Sequence, residues 1–214
     1  MFLGNSQIQE KQYLVLERIF NMKVYFHFNL DGFSNCYVIV NEKTMEAIVL
    51  DPGIITKEIL EQIEAGPYNL VGVLITHKHK SHIRGLETLK KIYSPKVYAA
   101  DYDIAGSEET ILNGDGVIHL AGLRIQHISL PGHTTDSLAY KIGHILFTGD
   151  TISAGLISNT TSSYAEKTLI SNLKTKILSQ QDDVILMPGH GPPSSLAAEK
   201  NFNKAFLPAS CPLF

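Results

Sequence analysis

Three histidines fall within six residues in the stretch Thr76-His77-Lys78-His79-Lys80-Ser81-His82. In an extended segment alternate residues point the same way, so His77 and His79 can hold one ion together. Neutral imidazole is the commonest metal ligand, and a carboxylate adds negative charge and can bridge two ions. Further along, His133 follows Leu130-Pro131-Gly132, Asp150 follows Leu146-Phe147-Thr148-Gly149, and His190 follows Leu186-Met187-Pro188-Gly189. Four times an apolar run ends in a tight turn that carries metal-type ligands. Alone, His133 reads as part of an ordinary Pro-Gly turn and Asp150 as a capping residue. The cluster changes that weighing, and the expected metal set is His77, His79, His82, His133, Asp150 and His190. Asp51, directly after Leu50, is expected to hydrogen-bond one of these histidines. His27, His119, His127 and His144 are read as solvated or hydrogen-bonded side chains.

The elements that must position this set follow in order. Val24–Phe28 has the alternation of a strand. Cys36–Val40 and Ala47–Leu50 are β-rich runs joined by Asn41-Glu42-Lys43-Thr44, a hairpin pattern. Thr56 is placed to cap a helix over Lys57–Ala65, with Gly66-Pro67 as its stop. Val71–Ile75 is a continuous apolar run of the buried-strand type, and it delivers the histidine cluster at its C-terminal end. A helix over Ile83–Ile92 and a strand at Val97–Ala100 complete the first half. The second half repeats the plan, with strands at Gly116–Leu120, Leu123–Leu130, Ser137–Ile142 and His144–Thr148. A Ser/Thr/Gly-rich loop over Gly149–Ser163 leads to a helix over Tyr164–Ser179. Then come a strand over Val184–Met187, the turn Pro188–Pro193 and a helix over Ala197–Phe206. Two halves, each strands then helix, imply an α+β fold of two sheets packed together with helices outside. Ends of neighbouring strands converge, which would gather the six ligands at one edge.

A 214-residue chain with 44% hydrophobic and 18% charged residues can bury a sizeable core, which excludes a disordered chain. Its net charge of −3, without a Lys/Arg run, gives no reason to expect polyanion binding, so no nucleic-acid partner is expected. Cys36 and Cys211 lie far apart and form no CxxC, which fits a reducing cytoplasm. No apolar run reaches the ~18 residues of a membrane span, and no membrane association is expected. Residues 1–21 read as an N-terminal extension with a short amphipathic helix around Tyr13–Phe20. A single domain follows over 22–214, with Met22 as the expected true start.

Asp51-Pro52-Gly53, Thr76-His77-x-His79-x-x-His82, Pro131-Gly132-His133-Thr134, Thr148-Gly149-Asp150-Thr151 and Pro188-Gly189-His190-Gly191 together resemble the metallo-β-lactamase superfamily. The resemblance runs from Met22 to about Phe206. Pro188-Gly189-His190-Gly191-Pro192, followed by Glu199-Lys200-x-Phe202-Asn203, is similar to the short glyoxalase II-like (hydroxyacylglutathione hydrolase-like) branch. It implies a four-layer αββα sandwich with the site at one edge. It also implies a first metal on His77, His79 and His133, a second on His82 and His190, and Asp150 as the bridging, catalytic carboxylate.

The departure is Ser81, where the family usually carries Asp. Read as the residue just before a helix, Ser81 keeps the N-cap, worth ~0.5–2 kcal/mol over Ala, but not the negative charge. The expectation is one tight Zn²⁺ and a second, weaker one. A further departure is Gly155–Thr161, which lacks the Arg and Asp of the family's usual element. The implied activity is a metal-dependent hydrolase in which hydroxide on zinc attacks a thioester of the hydroxyacylglutathione type, or an ester or lactone. Its partner is a small molecule, a thioester or other anionic acyl compound. Lys78 and Lys80 read as solvent-facing, or as attracting such an anion. One competing reading is a mono-iron (Fe²⁺) oxygenase of the persulfide dioxygenase type, using His77, His133 and Asp150. The other is a partly degenerate, non-catalytic protein.

Overall fold

A computed structural model describes residues 21–207, so the expected helix around Tyr13–Phe20 and Cys211 lie outside the described residues. The first sheet has the order β1 (Met22–Phe28), β2 (Asn35–Asn41), β3 (Glu46–Leu50), β4 (Asn69–Leu74) and β5 (Lys96–Tyr98). Its first three strands are antiparallel, and β3–β4–β5 run parallel. Helix α1 (Lys57–Ala65) makes the β3–β4 crossover. Thr56 caps it by accepting from the Ile59 amide, and Ile59 and Ile63, one turn apart, are its buried face.

Between β4 and β5 the single helix expected over Ile83–Ile92 is two, α2 (Lys80–Ile83) and α3 (Leu86–Tyr93). The break falls at Gly85, whose amide donates to the Pro52 carbonyl at 2.7 Å. A Cβ on Gly85 would lie 2.7 Å from that oxygen, so the close approach that splits the helix requires glycine. The break also moves Ser81. It is the second residue of α2 and not a cap; the N-cap position is His79, which makes no side-chain capping bond.

After α4 (Tyr102–Ala105), the second sheet has the order β13-β12-β9-β8-β7-β6. Its strands are β6 (Gly116–Leu120), β7 (Leu123–Ser129), β8 (Leu138–Ile142), β9 (Ile145–Gly149), β12 (Ile185–Pro188) and β13 (Ser194–Ser195). The expected loop over 149–163 contains a small hairpin, β10 (Ile152–Ser153) against β11 (Leu156–Ile157). Two-residue strands are too short to show alternation in a sequence. Helix α5 (Ser163–Asn172) is continued by a π-helical turn, Leu173–Ile177. Buried residues recur there every four positions, at Leu169, Leu173 and Ile177. That interval exceeds the α-helical repeat of 3.6, and the wider turn keeps all three on one face. Helix α6 (Leu196–Phe202) ends the described chain.

Three apolar layers result, as the αββα expectation requires. Tyr37, Ile39, Ile48, Tyr140 and Phe147 fill the space between the sheets. Val38, Val49, Ile59, Ile63 and Leu89 seat α1 and α3 on the first sheet. Leu146, Leu169, Leu173, Leu186 and Leu196 seat α5 and α6 on the second. Cys36 is a free thiol inside the first sheet, and burial pushes it well above the ordinary thiol range. Among the described residues, no helix is long and apolar enough to cross a membrane.

Candidate metal centre

The two sheets are laced together at one edge, and the candidate ligands emerge there. The Thr76 carbonyl accepts from the Leu138 amide at 2.8 Å, joining the end of β4 to the start of β8. The Tyr140 hydroxyl donates to the Ile75 carbonyl at 2.8 Å. The Tyr37 hydroxyl donates to the Pro188 carbonyl at 2.7 Å, and the Asn35 amide to the Gly189 carbonyl, also at 2.7 Å. β12 runs parallel to β9, and the Gly189 amide donates to the Gly149 carbonyl at 2.7 Å. That contact sets Asp150 beside His190. A Cβ on Gly189 would lie 2.5 Å from both Asp150 Oδ1 and His82 Cε1, so only glycine lets the three side chains meet.

All six residues singled out from the sequence converge. His77, His79, His133 and Asp150 each offer one atom within 4.8 Å of the others, and His82, Asp150 and His190 do the same. In the first group His79 Nδ1 lies 2.9 Å from His77 Nε2 and 3.1 Å from His133 Nε2. Asp150 stands between the groups. Its Oδ2 is 3.5 Å from His77 Nε2, 3.4 Å from His82 Nε2 and 3.8 Å from His133 Nε2. Its Oδ1 is 2.7 Å from His190 Nδ1.

The outward nitrogens of His77, His82, His133 and His190 are anchored, which fixes those four rings. His133 Nδ1 donates to the Asn159 carbonyl at 2.9 Å, and His190 Nε2 to the Gly32 carbonyl at 3.1 Å. His77 Nδ1 meets the Thr76 hydroxyl at 3.0 Å, and that hydroxyl donates to Asp51 Oδ2 at 2.7 Å. His82 Nδ1 lies 2.9 Å from the same Asp51 oxygen, so Asp51 supports the cluster from behind.

The electrostatics divide the centre. Burial pushes the Asp150 carboxyl up, but contacts with His190, His77 and His82 outweigh it and hold the group well below the usual carboxylate range. Burial lowers His82, yet Asp51 and Asp150 together raise it to about 10. The bond to Asp150 raises His190 against its burial. His79 and His133 are lowered, chiefly by burial and then by neighbouring imidazoles. Those two rings keep the lone pairs that bind a cation.

A divalent ion fits this donor set. His82 Nε2 is buried without a hydrogen-bond partner while it faces Asp150. A buried imidazole nitrogen left so is costly unless something beside protein satisfies it. Ser81 contributes no carboxylate; its carbonyl accepts from the Ser34 hydroxyl at 2.7 Å. Lys78 donates to Asp101 at 2.7 Å, so its charge is engaged away from the histidines.

Two residues hold neighbouring segments in ways the sequence alone does not assign. Glu199 is buried on α6 and accepts from the Gly155 amide at 3.1 Å, tying the β10–β11 hairpin to α6. Asn35 donates to the Pro188 and Gly191 carbonyls, at 2.9 and 2.8 Å, and holds the turn that carries His190. Asn35 opens a strand whose middle is apolar, which is the hint the sequence offers for it; Glu199 stands in the Glu199-Lys200-x-Phe202-Asn203 resemblance, which assigns it no contact.

Residues 30–117 match the Metallo-beta-lactamase superfamily. The hydroxyacylglutathione hydrolase GloC of Haemophilus influenzae is 28% identical over 195 residues, covering 79% of this chain and 91% of that protein. The BLEG-1 B3 metallo-beta-lactamase has the same fold at a TM-score of 0.76 and 21% identity, over 86% of this chain and 99% of that one. TTHA1623, solved in a di-iron-bound form, superposes at a TM-score of 0.70 and 22% identity, covering 84% and 98% of the two chains. The donor set and the superfamily together imply a divalent metal, zinc or iron.

Proposed function

Because the chain carries a metallo-β-lactamase superfamily domain, we propose that this metallo-hydrolase cleaves a thioester, or a related ester or lactone, at the centre around Asp150. The observation that carries the reading is the position of Asp150, with Oδ2 3.5 Å from His77 and 3.4 Å from His82, one residue from each histidine group. One carboxylate thus faces two histidine sets.

In this reading His77, His79 and His133 would hold the first ion, His82 and His190 would hold the second, and Asp150, which belongs to both groups, would serve each. A divalent ion bound there would supply Lewis-acid chemistry, polarising a carbonyl and making water nucleophilic near neutral pH. The chain's own residues do the rest. Asp150 stays ionised because three histidines face it. The Asn159 and Gly32 carbonyls keep the His133 and His190 rings from turning. Leu156 and Ile157 line a cavity of about 410 Å³ that Asp150 and His190 also border. Ser81 leaves the second set without a negative charge of its own, so an ion there would be held more weakly than one in the first set, where zinc is the expected ion.

The oxygenase reading needs His77, His133 and Asp150 to act alone. His79 Nδ1, at 2.9 and 3.1 Å from the other two rings, favours the three-histidine set instead. The test is metal analysis of the purified chain, with thioester hydrolysis measured before and after chelation. Zinc, with activity lost on chelation and restored on adding it back, is expected. A single iron with O₂ uptake, and no hydrolysis, would overturn the proposal.

A further inference from the structure

Two cavities open at the centre and share the His133 ring as a wall. One is the space above Asp150 and His190. The other, of about 380 Å³, lies beyond His133, between the Pro131–Thr135 turn and the start of α5, with Tyr164, Ala165 and Thr168 facing it. Among the described residues that line this second cavity there is no Lys, Arg, Asp or Glu. Among the described residues that line the first cavity, the only one of these types is Asp150.

The surroundings have the same character. Leu156 is 62% exposed and Tyr164 80%, each bordering one of the two cavities. Leu30 at 78% and Phe33 at 66% occupy the short loop whose Gly32 carbonyl meets His190. Large apolar side chains left exposed together mark a surface that receives an apolar partner. The cations nearby in sequence are placed elsewhere: Lys78 pairs with Asp101, Arg84 with Asp31, and neither they nor Lys80 line either cavity. A glutathione thioester brings two carboxylates and calls for cations to meet them. An alkyl or aryl chain calls only for apolar walls.

We propose that the cavity between the Pro131–Thr135 turn and α5 seats an uncharged, apolar acyl chain. The inference rests on the hydrolase reading above and names the substrate class of that site. The scissile carbonyl lies beside His133 and Asp150, and the acyl chain passes behind the His133 ring. Hydrolysis adds water across the acyl C–S or C–O bond and releases a carboxylic acid and a thiol or alcohol.

The test uses the full, metal-loaded chain and thioesters of N-acetylcysteamine from acetyl to octanoyl, with S-lactoylglutathione alongside. kcat/KM is expected to rise about fourfold per methylene, the equivalent of ~0.8 kcal/mol per buried CH₂, until the cavity is full. The hexanoyl thioester should exceed S-lactoylglutathione more than about tenfold on the same scale. Ala165→Phe, which puts a ring into the cavity from α5, should flatten the series, and Thr168→Trp should do the same one turn later. Independently of turnover, calorimetry should show hydrolysis-inert 2-octanone binding the wild-type chain at least about tenfold tighter than 2-butanone. A flat wild-type series, a preference for S-lactoylglutathione, or equal binding of the two ketones overturns the inference. If no thioester is hydrolysed at all, the hydrolase reading fails, and ketone binding still decides whether the cavity accepts an apolar chain.

Discussion

His82 Nδ1 lies 2.9 Å from Asp51 Oδ2, and both side chains are fully buried. The same carboxylate accepts from the Thr76 amide at 2.8 Å and the Thr76 hydroxyl at 2.7 Å. Asp51 therefore clamps the histidine cluster at its entry and its exit. Its backbone has φ +50°, a left-handed conformation that Asn tolerates far better than most residues. Asp51→Asn should keep the fold and remove the charge. Losing such an outer partner typically costs ~10–100-fold in metal affinity. We expect that loss in the second ion of a zinc titration, with the first much less affected. Equal weakening of both ions would show that Asp51 serves the whole cluster and not the His82 side.

Ser81 gives the complementary prediction. It lies inside α2, between His79 and His82, and supplies neither a helix cap nor a charge. Ser81→Asp should tighten the second ion by at least about tenfold, ~1.4 kcal/mol, and raise thioester turnover in parallel. Competition with a chromogenic chelator reads the affinity. No change in either quantity would sink the idea that serine weakens the second site.

These two residues also mark how far the sequence could be read. The six candidate ligands were legible because each is a metal-type residue in a turn that follows an apolar run. Thr56 and the hairpin at 41–44 were legible because their chemistry is local. The fate of Ser81 was not. It depends on the break at Gly85, which arises from the approach of the Pro52 carbonyl, a contact across 33 positions that no periodicity carries. Likewise the β10–β11 hairpin is fixed by Glu199, 44 positions away. Asp51 could be read as a support for some histidine, but only the fold selects His82.

Glu199 accepts from the Gly155 amide, from the Ser194 hydroxyl and from Asn203 Nδ2 at 2.7 Å, while 1% exposed. Glu199→Ala would leave the buried Asn203 amide without this acceptor, at ~1–3 kcal/mol, and take the same acceptor from the part-buried Gly155 and Ser194 donors at a smaller cost. We expect a loss of about 2–5 kcal/mol in urea unfolding, with much of it restored in Glu199→Gln, which keeps one carbonyl oxygen. Amide exchange should quicken at Gly155 in the alanine variant while the strand amides of β8 stay protected. Uniform quickening across both would mean that Glu199 supports the whole domain and not the hairpin over the centre.

His127 supplies a pH test away from the centre. Its Nδ1 donates to the Gly114 carbonyl at 3.1 Å, and burial lowers its pKa from the ordinary value despite that bond. The folded-state pKa is thus depressed below the unfolded value of about 6.5. Above that pH both states are neutral and the native imidazole keeps its full contribution. As pH falls through and below about 6.5 the unfolded chain takes up the proton first, and the contribution is lost. The variant His127→Gln keeps a donor and cannot titrate. Its stability deficit against wild type, from urea unfolding, should therefore be largest near pH 7.5 and shrink by pH 5. Taking the difference between the two proteins cancels the titration of the metal histidines, which both share. A deficit that grows on acidification would mean that the folded protein binds the proton at His127 more tightly than the unfolded chain does.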